Sequence, residues 1–212
     1  MPVIVWGNGF CMAAGTMFTN FLNEIASHGF FIVANGPSSG NQLGGQTTYN
    51  DLIKSIDWLE KTGAAKYNLD MSKMAVSGQS CGGLEAYQAS VKDSRIKLTA
   101  LFNSGNLGIG NVDVTKLKSP VAYFLGGAKD IAQKNGDSDY LKLQVPALKT
   151  TIDIGHIGTY YQKYGGKMGK AAVSFFKWQQ MGDTQEKAKW CGTGATEFSK
   201  LGFTTVSKNG MC

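Results

Sequence analysis

The chain has 212 residues, 42% of them hydrophobic and 17% charged, which is the make-up of a folded globular protein and excludes a disordered one. No apolar run reaches the roughly 18 residues that a membrane-crossing helix needs, so a soluble protein is expected. Lys and Arg number 21 against 15 Asp and Glu, a net charge of +6; the lysines stand singly or in i, i+3 pairs without interleaved aromatics, which argues against a nucleic-acid partner and for a solvated basic face.

Met1-Pro2 runs straight into VIVW with no basic leader and no small-residue cleavage site, so a secreted protein would be present here in mature or trimmed form. Val3–Trp6 reads as a buried strand, followed by the glycine-bracketed turn Gly7-Asn8-Gly9-Phe10. A helix pattern over Thr16–Ser27 ends at His28-Gly29, with Gly29 as the C′ residue and His28 as a last-turn cap. FFIVA, Phe30–Ala34, is a second strand. Over Thr48–Thr62 the residues Leu52, Ile53, Ile56 and Leu59 share one helix face. A strand at Met74–Ser77 then runs into a helix at Gly82–Val91. Strands follow at Leu98–Phe102 and Val121–Leu125, a weaker one at Leu148–Ile154, and a helix at Lys167–Met181.

Short apolar runs alternating with helix patterns describe an α/β fold, a mostly parallel sheet of about six strands with helices on both faces in a three-layer αβα sandwich. Ligands in such sheets sit at the carboxyl ends of the strands. No repeat or linker divides the chain, so a single domain over 1–212 is expected. After Met181 the periodicity fades, and 182–212 reads as an irregular tail with one short hairpin, fastened by cysteines.

Gly78-Gln79-Ser80-Cys81-Gly82 matches G-x-S-x-G between a strand and a helix, the setting in which a serine is held on a strained turn as a nucleophile. Ser80 needs a base, and the chain has two histidines. His28 is accounted for as a helix cap, whereas His156, in the glycine-flanked loop DIGHIGTYY, lies downstream of the serine. The third member is a carboxylate between them in chain order. Asp130 stands just beyond a strand end in VAYFLGGAKDIA. Its rivals Asp137 and Asp139 lie in a polar segment resembling a helix start, and Asp153 lies within the last strand. Oxyanion donors are expected from the amides of Cys81, the residue after the nucleophile, and Phe10 in the loop after the first strand.

The series VIVWGNGF, FLNEIASHGFFIVANG, MAVSGQSCGG, PVAYFLGGAKD and GHIGTY resembles the α/β-hydrolase superfamily over roughly Val3 to Asp183. Within it, the series is similar to small secreted esterases of the cutinase and polyester-hydrolase kind, above all those with a GQSCGG elbow. The resemblance implies Ser80, Asp130 and His156 as triad and the Phe10 and Cys81 amides as oxyanion hole. It also implies a chain that opens at the strand normally third in the fold, leaving a minimal sheet.

Some related hydrolases place cysteine at the elbow itself, but Cys81 stands one position late and turns toward the oxyanion loop. Four cysteines allow three pairings. The inferred fold favours Cys11–Cys81, because Cys11 follows Phe10 in the loop facing Cys81, over two buried thiols there; Cys191–Cys212 would then close the tail. Disulfides used this way imply an oxidising, extracellular setting. The expected activity is hydrolysis of a carboxylic ester through an acyl-enzyme, without metal or organic cofactor, by a monomer with no membrane or nucleic-acid partner. Phe10, Asn106, Leu107 and Ile157 are the expected substrate-binding residues. The alternatives are an acyltransferase with the same triad and a non-catalytic cell-wall or polymer-binding module on the same fold.

Overall fold

A computed structural model describes residues 1–38, 45–192 and 196–212. Strand β1 (Pro2–Gly7) leads through a 3-10 turn (Gly9–Cys11) to α1 (Thr19–Ser27) and β2 (Phe31–Ala34). Helix α2 (Tyr49–Trp58) passes through a π turn (Leu59–Gly63) into the short α3 (Ala64–Tyr67). There follow β3 (Asp70–Gln79), α4 (Cys81–Lys92), β4 (Leu98–Phe102), β5 (Val121–Leu125), α5 (Gln133–Lys142), β6 (Ala147–Thr151) and α6 (Gly166–Met181). The chain ends with α7 (Thr184–Ala188), α8 (Glu197–Lys200) and β7 (Thr204–Lys208).

The strands form one sheet in the order β2-β1-β3-β4-β5-β6-β7. Every pairing is parallel except β6 with β7. Alternation along the strands divides the core in two. Ile4 and Trp6 of β1 join Phe102, Phe124 and the α1 and α6 side chains Phe21 and Phe175 on one face. Val3 and Val5 join Val76, Leu101, Tyr123 and the α4 residue Tyr87 on the other. Trp6 sits 5.4 Å from Phe21 between ring centroids, and Phe102 stacks on Phe124 at 4.5 Å. These rings underlie the strand ends that carry the polar loops.

The α/β architecture expected from the alternating pattern is present, with shifted bounds. α1 begins at Thr19, later than Thr16, and β6 ends at Thr151, earlier than Ile154. α2 is closed at its start by a Thr48–Asp51 capping box, in which each residue satisfies the other's amide. α5 has little apolar periodicity, since its buried residues are only Gly136, Asp139 and Tyr140, and the sequence shows it only as a polar segment resembling a helix start at Asp137 and Asp139.

The largest difference lies in the tail, which adds two short helices and a seventh strand in place of an irregular segment with a hairpin. Trp190, Phe198, Phe203 and Met211 are buried against the α1–α6 side of the core, with Trp190 stacked on Phe198 at 3.8 Å. They are too sparse for any periodicity, yet they anchor α7 and α8 and return the chain along β6. β7 thereby pairs with what would otherwise be an open strand edge, and Cys191–Cys212 closes the segment.

That bond spans 21 residues and lies outside the cluster of loops at the strand ends. Cys191→Ser is expected to lower stability by about 3 kcal/mol, a fall in thermal midpoint of roughly 6–12 °C, while activity below the transition stays at the wild-type level. Calorimetry alongside an activity assay at 25 °C checks both halves.

Candidate active site

The loops following β1, β3, β4, β5 and β6 converge at the carboxyl edge of the sheet. Ser80 lies between β3 and α4 with φ 54° and ψ −120°, a backbone region costing a non-glycine residue on the order of 1–3 kcal/mol. Its amide is held by the Phe102 carbonyl at 3.0 Å and its own carbonyl by Ser104 Oγ at 2.6 Å. The turn closes because its flanks lack side chains. A Cβ on Gly78 would run into the Gly82 backbone, and one on Gly82 into the Gly7 backbone.

Ser80 Oγ lies 2.9 Å from His156 Nε2, and His156 Nδ1 lies 2.7 Å from Asp130 Oδ1. A carboxylate only accepts, so Nδ1 carries the proton and Nε2 is the lone pair facing the serine hydroxyl. Asp130 is buried and fully supplied with donors. Oδ1 also takes the Ala132 amide at 2.9 Å, and Oδ2 takes the Gly126 amide at 2.7 Å and Asn103 Nδ2 at 2.8 Å. Burial raises its pKa, but the His156 contact and these hydrogen bonds outweigh burial and hold the carboxyl below its ordinary value.

The other candidates fall elsewhere. Asp137 pairs with Lys149, Asp139 receives the Asn106 amide at 2.7 Å, and Asp153 is exposed beside Gly127. His28 is paired with Glu24 on α1.

Facing the elbow, Phe10 and Cys11 both adopt positive φ, 58° and 52°, so the chain bends sharply after β1. Cys11 is bonded to Cys81 with a Cα–Cα distance of 5.1 Å. As the first residue of α4, Cys81 has an amide without an intrahelical acceptor, and that amide and the Phe10 loop flank the serine.

A cleft of about 50 Å³ beside them is walled by Phe10, Met17, Phe18, Ile157, Tyr160 and Tyr161. Phe10 and Ile157 are 73% and 53% exposed, so the cleft is open and rimmed by apolar side chains. Asn106 and Leu107, expected to bind substrate, do not line it. The Asn106 side chain is spent on Asp139 and the Val112 carbonyl, because the loop after β4 folds back onto α5. A larger groove between α1 and α6, about 420 Å³ and bordered by Lys163, Lys170 and Lys177, includes none of Ser80, Asp130 and His156. Among the described residues no group of three His, Cys, Asp or Glu side chains is placed to hold a metal.

Four residues of the site went unread in the sequence: Gln79, whose Nε2 donates to the His156 carbonyl at 3.1 Å, and Asn103, Ser104 and Tyr160. In the loop after β4 the sequence singles out Asn106 and Leu107, and the one signal for Asn103 is an asparagine where a parallel strand ends.

A parallel sheet that presents a serine on a strained strand-to-helix turn, with acid and histidine on later loops, defines an α/β-hydrolase. The family model described as Chlorophyllase matches residues 1–121, more than half of the chain. The chain therefore belongs to the chlorophyllase family, a family in the α/β-hydrolase superfamily, and is an ester hydrolase of that type. The match takes in β1 to β4 and the elbow and ends at the first residue of β5, before Asp130 and His156. No curated protein matches the chain.

One carboxylate near the site has an opposite environment to Asp130. Glu85, on α4 behind the β1 loop, is 2% exposed, and neither of its oxygens has a hydrogen-bond partner among the described residues. Burial pushes it from 4.5 to about 7, the Thr47 hydroxyl opposing and the Asp51 charge adding. Between those two values the native protein keeps a proton that the unfolded chain has released, so stability falls as pH rises through that window. Glu85→Gln is expected to remove this loss, on the order of 3 kcal/mol. Urea midpoints of wild type and variant at pH 5 and pH 8 check it, with the variant gaining at pH 8 only.

Proposed function

We propose that the protein is a serine hydrolase that cleaves carboxylic esters through an acyl-enzyme, with Ser80, His156 and Asp130 as triad. The unbroken run of contacts from Ser80 Oγ through both ring nitrogens of His156 to Asp130 carries this reading. Ser80 Oγ attacks the ester carbonyl as His156 Nε2 takes its proton. Asp130, ionised and saturated with donors, stabilises the imidazolium without accepting the proton. The carbonyl oxygen, now negative, is bound by the amides of Phe10 and Cys81. Collapse expels the alcohol, protonated by His156, and water repeats the sequence to release the acid.

The disulfide between Cys11 and Cys81 supports a preorganised oxyanion hole, since it ties the two donor segments together at no cost during the reaction. The open cleft with its exposed Phe10, Ile157 and Tyr161 supports a cutinase-like enzyme whose substrate approaches across an extended apolar surface, with Phe10 and Ile157 contacting it. Two disulfides support secretion into an oxidising environment, and among the described residues no helix is long and apolar enough to cross a membrane.

Ser80→Ala and His156→Ala are each expected to lower kcat toward a p-nitrophenyl ester by about 10⁴-fold or more. Fluorophosphonate should label wild type at Ser80 and leave Ser80→Ala unlabelled. Residual turnover within tenfold of wild type would refute the assignment. Cys11→Ser is expected to reduce kcat more than Cys191→Ser does; steady-state kinetics on the pair, below either thermal transition, checks this.

A further inference from the structure

Asn103, the first residue after β4, is fully buried and holds φ 47°, and its side chain bridges the Asp130 loop and the histidine loop. Nδ2 donates to Asp130 Oδ2 at 2.8 Å and to the carbonyl of Gly155, the residue before His156, at 3.1 Å. Both partners only accept, which fixes the amide's orientation and leaves Oδ1 to receive the hydroxyl of Tyr160. Tyr160 belongs to the histidine loop and is itself fully buried, packed edge-on against Phe18 and Phe21. The Asn103 amide is tied to the Phe124 carbonyl at 2.7 Å, so the hub sits on two strands. The next residue, Ser104, holds the Ser80 carbonyl.

We infer that Asn103 is the positioning residue of the triad: its carboxamide, oriented by Tyr160, sets the rotation of the Asp130 carboxylate and fixes the histidine loop to it. This rests on the serine-hydrolase reading of the site. If the only task of Asn103 were to satisfy buried polarity, its partners could lie anywhere in the core; instead they are the acid, the backbone beside the histidine and a side chain of the histidine loop. With Oδ2 held by Asn103 and the Gly126 amide, Oδ1 is left facing Nδ1, the orientation that keeps Nε2 free for the serine proton. Burial, followed by the Asp130 charge, raises the Tyr160 hydroxyl well above its ordinary value, so it stays a donor wherever the enzyme works.

The test compares wild type, Asn103→Gly and Tyr160→Phe in kcat and KM on p-nitrophenyl acetate and in the rate and end point of fluorophosphonate labelling. Glycine suits the positive φ, so the first variant removes the carboxamide without straining the backbone. For Asn103→Gly, kcat and labelling rate are expected to fall about 100-fold, as for a small misplacement of reacting groups, with KM within about twofold of wild type and labelling complete at long times. Tyr160→Phe should show the same split with a loss of about tenfold, and it carries the test if Asn103→Gly does not fold. Wild-type kcat in a fully labelled variant overturns the inference. So does a loss of kcat that equals the missing labelled fraction, since that reports fewer folded molecules and not a misaligned triad. Failure of wild type to be labelled at Ser80 would instead overturn the serine-hydrolase reading, and this inference with it.

Discussion

Backbone meets backbone where the ends of β1 and β3 touch the start of α4, and no side chain fits between them. Gly7 and Gly82 lie so close that a Cβ on either would enter the other's main chain, and a Cβ on Gly78 would likewise enter the Gly82 backbone. A turn this tight lets Ser80 take its strained backbone angles and stand clear of the sheet. It also brings the Phe10 segment beside the start of α4, where the Cys81 amide has no helical partner. The strain is held by the elements on either side, through the Phe102 carbonyl on the Ser80 amide and Ser104 on the Ser80 carbonyl. Those elements are in turn fixed by aromatic packing beneath them, Trp6 and Phe102 on one face and Tyr87 with Tyr123 on the other. The geometry of Ser80 is therefore a property of the core as much as of the loop.

Charge at the site follows the supply of donors. Burying a carboxylate costs several kcal/mol unless its oxygens are met by hydrogen bonds. Asp130 has its four lone-pair directions filled by His156, two backbone amides and Asn103, and so it remains ionised in a buried position. Glu85, close by on α4, is buried with neither oxygen hydrogen-bonded among the described residues, and its carboxyl is pushed the other way. Two acids of the same chemistry are shifted in opposite directions by what surrounds them.

The tail shows a different economy. Its helices are short, five and four residues, and would not persist alone in water. They persist because Trp190, Phe198 and Phe203 are inserted into the core and because Cys212 is tied back to Cys191. The return strand then covers the β6 edge, the hydroxyl of its Thr205 meeting that of Thr150 on β6. None of Ser80, Asp130 and His156 lies on this segment.

The sequence by itself determined the α/β alternation, because strand and helix periods report burial on one face and that burial is local in the chain. It offered Ser80 through the G-x-S-x-G pentapeptide between a strand and a helix, and His156 as the histidine downstream of it. It offered Asp130 as one of several carboxylates between them, the one just beyond a strand end; the structure puts these three side chains in one row of contacts. Only the tertiary structure decided that the tail adds β7, since isolated aromatics carry no period, and that Asn106 serves Asp139 and not the cleft. Asn103, too, was invisible until β4, β5 and the histidine loop were brought together, for its partners lie 27, 52 and 57 residues away. A side chain's hydrogen bonds are set by which loops converge around it, and that convergence is a property of packed strands and not of neighbouring letters.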